Sequence, residues 1–491
     1  MKPTGLTRGA VNRPAWSAAF FVASCLALVS AGCAVGPQYV KPSVPEAPTD
    51  AFKELQGWKA AQPSDELPRG TWWELFGDPQ LNALEEQLTV SNEDLKAAEA
   101  RFREARAMIR VNRSSELPTV STAPAAAYAR NGNTPISTST LNESATGVYT
   151  LPFDLSYELD VWGRVRRTVA AAREHAQATA ADLQTVNLSL QSELAFDYFE
   201  LRSAEVQKRL LDDTVNAYAE ALQLTTNRFE GGAAARSDVA QAKTQLDATR
   251  VQATDLAVQR ARFEHAIAVL VGTPPSAFSI PVGPLELVPP DIPVGVPSQL
   301  LERRSDVASA ERRTAEANEQ VGVARTAFFP TVLLSAAVGY EGNQLSNWFD
   351  WPSRFWSIGP NVIQTIFDGG RRRAVSDAAM ANYDETVAEY RQFTLTAFQQ
   401  VEDNLAALRV LEEETRQQAD ATASAQESLR IFTERYIGGL DPYLQVLTAQ
   451  TIALTNERNG VDIMRRRMDA SVLLIKSLGG GWTVSDLPTA S

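Results

Sequence analysis

Two stretches of about 65 residues, Arg164 to Glu230 and Arg371 to Ile437, hold neither glycine nor proline, and at 1.5 Å per residue each makes a rod of roughly 100 Å. A third such stretch runs from Ala233 to Val271. All three are rich in Ala, Leu, Gln, Glu and Arg, which are good helix formers. Rods of this length do not fit a compact domain and must pack along one another. Heptad spacing from Leu183 agrees: ten of fourteen core positions between Leu183 and Phe229 are apolar, and Asn187, Asp197 and Lys208 interrupt the seam.

The body of the chain is doubled. Asp94-Leu95 followed by Pro118 matches Asp306-Val307 followed by Pro330, Glu158–Arg167 matches Thr365–Ala374, and Arg228–Ala242 matches Arg435–Ala449 without a gap. Each half reads as helix, strand pair, long helix, glycine-containing turn, helix. Repetition of this kind implies pseudo-symmetry. The expected organisation is an export signal (1–32), an N-terminal segment (33–80), a first repeat (81–271), a proline-rich connector (272–297), a second repeat (298–478) and a tail (479–491). The strand pairs fall at 119–160 and 331–367, and the long helical hairpins at 164–271 and 371–478.

The strands alternate. From Tyr149 to Leu159 every odd position is apolar or aromatic, and nearly every even one is polar or proline, the period-2 pattern of a strand with one greasy side. Thr119 to Arg130 is its weaker, Ala-rich partner. Val332, Leu334, Ala336, Val338 and Tyr340 alternate in the second half, and Trp356, Ile358, Val362 and Ile366 less cleanly. A half-buried soluble hairpin gives the same alternation. Lengths of 10–12 also fit a strand crossing a bilayer, and Trp348, Trp351 and Trp356 suit an interfacial aromatic belt. In lipid, four strands cannot close and open edges are forbidden, so a membrane reading requires several copies.

The amino terminus is a targeting segment. Lys2, Arg8 and Arg13 precede an uncharged apolar run from Ala15 to Val29, then Ser30-Ala31-Gly32-Cys33. That is an export signal ending in small residues before a cysteine, the arrangement in which Cys33 becomes a lipidated first residue. Ser30 stands where such sites usually carry Leu. Beyond Cys33 no apolar run is long enough for a transmembrane helix.

Composition excludes several functions. The net charge is −13, so no basic excess is available to bind nucleic acid. The two histidines, His175 and His265, lie far apart, and both cysteines fall within the first 33 positions. No zinc site, cysteine nucleophile, disulfide framework, metal or cofactor is expected. The chain reads poorly as an enzyme.

Seven motifs stand in order along this doubled frame: GPQYVKP (36–42), WWELFGDPQLNAL (72–84), SYELDVWGRVRR (156–167), RFEGGAAARSDVAQA (228–242), PSQLLERRSDVASAERR (297–313), FDGGRRR (367–373) and LGGGW (478–482). With them the chain resembles the TolC-type outer-membrane factor family, in its lipoprotein, OprM-like (NodT-type) branch, over almost its whole length after Cys33. The resemblance implies an α+β membrane protein: a homotrimer whose 12-stranded β-barrel, four strands per chain, sits in the outer membrane, anchored by lipid. The barrel continues into a long periplasmic α-helical tunnel. The duct passively conducts drugs or other small toxic compounds from a periplasmic adaptor and an inner-membrane pump, of the resistance-nodulation-division type. A duct for one-step protein secretion is the alternative, and a periplasmic coiled-coil scaffold or adaptor lipoprotein is an alternative of another class.

Candidate residues follow from the topology. The rods reverse at Gly231-Gly232 and Gly438-Gly439, because glycine ends a helix in the left-handed conformation. The next helices start with Ser237 or Asp238 in one half, and with Asp441 and Pro442 in the other. In the family these turns close the periplasmic end. The resemblance places Asp238 on a carboxylate lining that constriction, although an N-cap serves equally, and Tyr436 on an aromatic that holds it shut. Gln445 replaces the second acid. Arg164, Arg166 and Arg167, and Arg371, Arg372 and Arg373, open the rods directly after a strand. They are expected where barrel meets tunnel, pairing with acids across protomers.

Overall fold

The computed structural model describes residues 35–44, 52–55, 70–129, 145–283, 289–290, 292, 303–482 and 487. Cys33 and the export signal lie outside them. The helices are α1 (Pro79–Ser91), α2 (Glu93–Arg113), α3 (Arg164–Glu230), α4 (Arg236–Leu270), α5 (Ser305–Thr326), α6 (Arg371–Ile437) and α7 (Tyr443–Ser477). The strands are β1 (Thr119–Thr122), β2 (Ala125–Ala129), β3 (Thr146–Leu159), β4 (Thr331–Gly342) and β5 (Arg354–Ile363). α3 and α6 have 67 residues each, α4 and α7 have 35 each. The chain forms two compact units.

One unit takes Met1–Lys41, Ala105–Ala176 and Arg313–Thr386 and contains the sheet. All neighbours are antiparallel, in the order β1 and β2, then β3, β4 and β5. The strand expected over 119–130 is two segments on one continuous register, with Thr122 opposite Phe153 and Ala125 opposite Thr150. The break has a local cause. In this register Ala123 stands opposite Pro152, which has no N–H to give, and Pro124 follows it. Where the sheet meets the helices, the Trp162 ring stacks on Phe329 at 4.8 Å and its Nε1 donates to Pro330 O at 2.8 Å.

The other unit takes Pro42–Glu104, Gln177–Arg312 and Val387–Ser491 and is helical. Its core gathers Trp72, Leu81, Leu88, Phe199, Tyr390 and Leu405. The WWELFGDPQLNAL motif begins this core. Trp72 is 1% exposed and donates from Nε1 to Gln191 Oε1 at 3.2 Å. Asp78 caps α1, accepting from the Gln80 and Leu81 amides, with Pro79 at the first helical position. The Tyr198 hydroxyl donates to the same carboxylate at 2.5 Å. The start of the proline-rich connector is fastened: Glu264 accepts the Ile280 amide, while Arg260 and Arg202 donate to the Ile280 and Pro281 carbonyls. Among the described residues, no helix is long and apolar enough to cross a membrane.

Candidate functional site

The tip of the helical unit is built from two equivalent turns. α3 ends in Gly231-Gly232, with Gly232 at φ 76° and the Ala233 amide donating to Arg228 O at 2.7 Å. α6 ends in Gly438-Gly439, with Gly439 at φ 75° and the Leu440 amide donating to Arg435 O at 2.9 Å. Both are helix stops that need a left-handed residue, and both place it on the second glycine.

The helices that follow start earlier and later, respectively, than the sequence suggests. α4 begins at Arg236 with Ala235 in the capping position, so Ser237 and Asp238 lie inside the first turn. Asp238 caps from there: Oδ2 accepts the Ala235 amide at 3.3 Å, and Ser237 Oγ lies 3.5 Å from Oδ1. α7 begins at Tyr443 with Pro442 itself in the capping position. Asp441 is not free to cap, because the Arg435 guanidinium holds its carboxylate at 2.6 and 3.2 Å. That pairing keeps Asp441 below the usual carboxylate range.

Beneath the turns Tyr436, Tyr443, Val446 and Ala242 form a small core. Tyr436 is 4% exposed, and its ring meets that of Tyr443 edge-on at 5.3 Å. The Arg228 guanidinium lies 4.7 Å over the Tyr436 ring and donates to Ile437 O at 2.8 Å. The Tyr436 hydroxyl is buried without a hydrogen-bond partner. Burial, with Tyr436, Tyr218 and Asp238 nearby, pushes the Tyr443 hydroxyl up to about 12. Tyr436, Tyr443 and half-buried Asp238 therefore belong to one tip, whereas Gln445 is exposed. Sequence reasoning missed Arg228, the clamp across the two turns. Its repeat mate Arg435 was the available signal, since both stand three residues before a Gly-Gly pair.

In the sheet unit the register sorts every strand residue onto one of two faces. Tyr149, Leu151, Phe153, Leu155, Tyr157 and Leu159 stand opposite Gly342, Tyr340, Val338, Ala336, Leu334 and Val332. Of those, Tyr340, Val338, Ala336, Leu334 and Val332 stand opposite Arg354, Trp356, Ile358, Pro360 and Val362 in the register of β5, and β1 and β2 add Val120 and Ala126 to the same face. This side is apolar across the sheet except for Thr122 on β1 and Arg354 at the start of β5. The other side is mixed: Thr119, Ser121, Asp154, Ser156, Glu158, Ser335 and Asn361 share it with Val148, Leu333, Phe355 and Ile363. Trp351 and Trp356 are 76% and 77% exposed, and the Trp348 ring lies 5.8 Å from Tyr149.

The arginines at the strand–helix junction find acids in their own chain. Arg164 grips Glu158 at 2.8 and 2.5 Å, and Arg166 meets Asp160 at 3.1 Å. Asp160 also caps α3 through the Val165 and Arg166 amides. Arg372 does the same with Asp368, whose carboxylate accepts the Gly370 and Arg372 amides. Arg371 and Arg373 are exposed. Arg167 is different: 7% exposed, it donates to Glu319 at 2.8 Å and to Pro37 O at 3.1 Å. It is packed so closely that a Cβ on Gly322 would come within 2.4 Å of its Cδ. Arg164, Arg166, Arg167 and Arg372 each pair within the chain, because each follows or faces an acid a few ångströms away.

A five-stranded antiparallel sheet with one largely apolar face, in a chain whose 67-residue helices stop at Gly-Gly turns, points to an outer-membrane transport protein. The outer membrane efflux protein family model matches residues 84–273 and 296–480, and the chain belongs to that family. The toluene efflux pump outer membrane protein TtgF of Pseudomonas putida is 31% identical over 94% of this chain and 97% of its own. The pyoverdine export outer membrane protein OpmQ of Pseudomonas aeruginosa is 31% identical, covering 86% of this chain and 90% of its own. The solved outer-membrane channel OprN superposes with a TM-score of 0.85 at 30% identity, covering 92% of this chain and 100% of that one. The protein is an outer-membrane efflux component with its helical part in the periplasm, and the family is one of transport rather than catalysis.

Proposed function

We propose that three copies of this chain close one 12-stranded barrel in the outer membrane, and that their helices form a periplasmic tunnel leading to it. The two halves of each chain act as structural repeats that supply equivalent walls. Drugs or other small toxic compounds enter the tunnel from a periplasmic adaptor served by an inner-membrane pump of the resistance-nodulation-division type. They then leave through the barrel without chemistry in the duct itself. The tip around Asp238, Tyr436 and Arg228 is the periplasmic gate, and Cys33 carries the lipid anchor.

The observation that carries this reading is the sheet. Its apolar face runs from β1 to β5, broken only by Thr122 and Arg354, yet among the described residues β1, β2 and β5 leave one side of each ladder open. In hydrocarbon an unpaired strand edge costs several kcal/mol for each orphaned polar group. A sheet built for lipid must therefore close, and closure takes further copies. The relatives are named for toluene and pyoverdine export, two unlike cargos, which supports a duct whose cargo is chosen by its partners. The test is planar-bilayer conductance of the detergent-extracted protein, with the oligomer mass measured on the same preparation. A mass of three chains with a small, rarely open pore is expected. A monomeric mass without conductance would overturn the duct and leave a soluble sheet on a helical scaffold.

A further inference from the structure

The registers say more than which face is greasy. The halves repeat with two fixed steps. β1 and β4 start at Thr119 and Thr331, 212 residues apart, while α3 and α6 start at Arg164 and Arg371, 207 apart. Both steps persist inside the hairpins. Thr119 faces Ser156 in the first, and moving these residues by 212 and 207 gives Thr331 facing Ile363, which is the pairing observed in the second. No insertion separates strand from helix in either half. The same steps therefore apply to the junction between hairpins, β3 against β4, whose equivalent is β5 against β1 and β2 of a following copy.

Resting on the trimeric reading above, we propose that β5 of one protomer pairs antiparallel with β1 and β2 of its neighbour in a single defined register. The observed pairs Leu159–Val332 and Leu151–Tyr340 become Ile366 opposite Val120 of the neighbour, and Ile358 opposite Tyr128 of the neighbour.

Two observations that did not enter the derivation agree with it. The first is the faces. The register sets even-numbered residues against even-numbered ones, so Trp356, Ile358 and Val362 continue the same apolar side as Val120, Ala126 and Tyr128. A slip of one residue would turn Asn361 and Ser357 to the lipid side beside them. The second is exposure. β5 ends at Ile363, although Leu159, the repeat mate of Ile366, still belongs to β3. Beyond that end Ile366 and Phe367 are 93% and 88% exposed. In the proposed register residues 364–366 gain the Val120–Thr122 ladder, so the strand extends to Ile366, whose side chain continues the apolar side. On the facing edges Val120, Tyr128 and Ile358 are 64%, 77% and 67% exposed.

The test is disulfide trapping in the full-length protein in outer membranes. Direct cross-strand neighbours have Cα separations a disulfide can bridge, whereas diagonal ones are about 7–8 Å apart. β1 and β5 are separated by two strands within one chain, so a bond between them joins two copies. Ile358→Cys with Tyr128→Cys, and separately Ile366→Cys with Val120→Cys, should give covalent trimers under copper–phenanthroline oxidation. The rate should be at least about tenfold faster than for the shifted pair Ile358→Cys with Ala126→Cys. The unsubstituted chain is the control for Cys33. Equal trapping of the shifted pair, or none at either registered pair in a preparation of trimeric mass, would overturn the register alone. A preparation of the unsubstituted chain that is not trimeric would overturn both the register and the reading beneath it. If one double variant fails to assemble, the other, further along the strand, decides.

Discussion

Asp197 occupies a core position of the coiled-coil seam, and the structure shows the consequence. Burial, with Glu193 and Glu200 beside it, pushes its carboxyl up to about 7. Asp469 is also pushed up to about 7, chiefly by burial and against the pull of Arg465, which pairs with it at 2.7 Å. An acid whose folded pKa lies above its unfolded one binds protons better when folded. Its stabilising contribution is complete below about pH 4 and is lost as the pH rises through about 7. Thermal stability should therefore fall between about pH 4 and pH 7, and Asp197→Asn should flatten that slope and gain about 1 kcal/mol at the upper end, after allowing for screening at a partly exposed site. Identical slopes in the two proteins would refute the assignment. Tyr436 allows a second test at this scale. Its hydroxyl has no partner, so Tyr436→Phe should match or exceed the native stability, because an orphaned buried hydroxyl costs about 1–3 kcal/mol. Tyr436→Ala removes the ring from its contact with Tyr443 and Arg228. Together with Asp238→Ala it should raise single-channel conductance in a bilayer, and unchanged conductance would remove both residues from the gate.

At the scale of elements, the long helices depend on how they stop. Nothing lies within 4 Å of a Cβ built on Gly232 or Gly439, so only the positive φ demands glycine there. Gly232→Ala and Gly439→Ala should each cost about 1–2 kcal/mol, and the Asn variants less. A chemical denaturation series that ranks Asn with Ala would contradict the left-handed stop. Gly322 is required for the opposite reason. It has room for no side chain against Arg167, so Gly322→Ala should push that guanidinium off Glu319 and Pro37. The expected loss is about 1–3 kcal/mol, with faster proteolysis near the N-terminal segment.

At the scale of the molecule, the two sheet faces make opposite predictions. An arginine at mid-membrane on the lipid side of a barrel costs about 2–4 kcal/mol, whereas the lumen side accepts it. Leu155→Arg should reduce the yield of trimer in outer membranes, while Ser156→Arg should assemble normally and shift ion selectivity toward anions. Trimer yield from the two variants, measured side by side, checks this. Equal yields would mean that the apolar face does not meet lipid.

Much of this was legible in the sequence because it follows from local rules. Glycine and proline spacing set the ends of the four long helices within a residue or two, and period-2 alternation picked out the greasy side of β3. Doubling gave the order of elements in each half. What needed the third dimension was anything decided by partners distant in the chain. Arg167 and Glu319 stand 152 residues apart and no spacing joins them, while Asp441 looked like a cap until Arg435 claimed its carboxylate. Residues 119–130 read as one strand, and only the register revealed the proline opposite Ala123 that divides it. Periodicity assigns a side chain to a face, because that depends on the backbone repeat alone. Which groups satisfy one another is a matter of competition in space, and only the tertiary structure decides it.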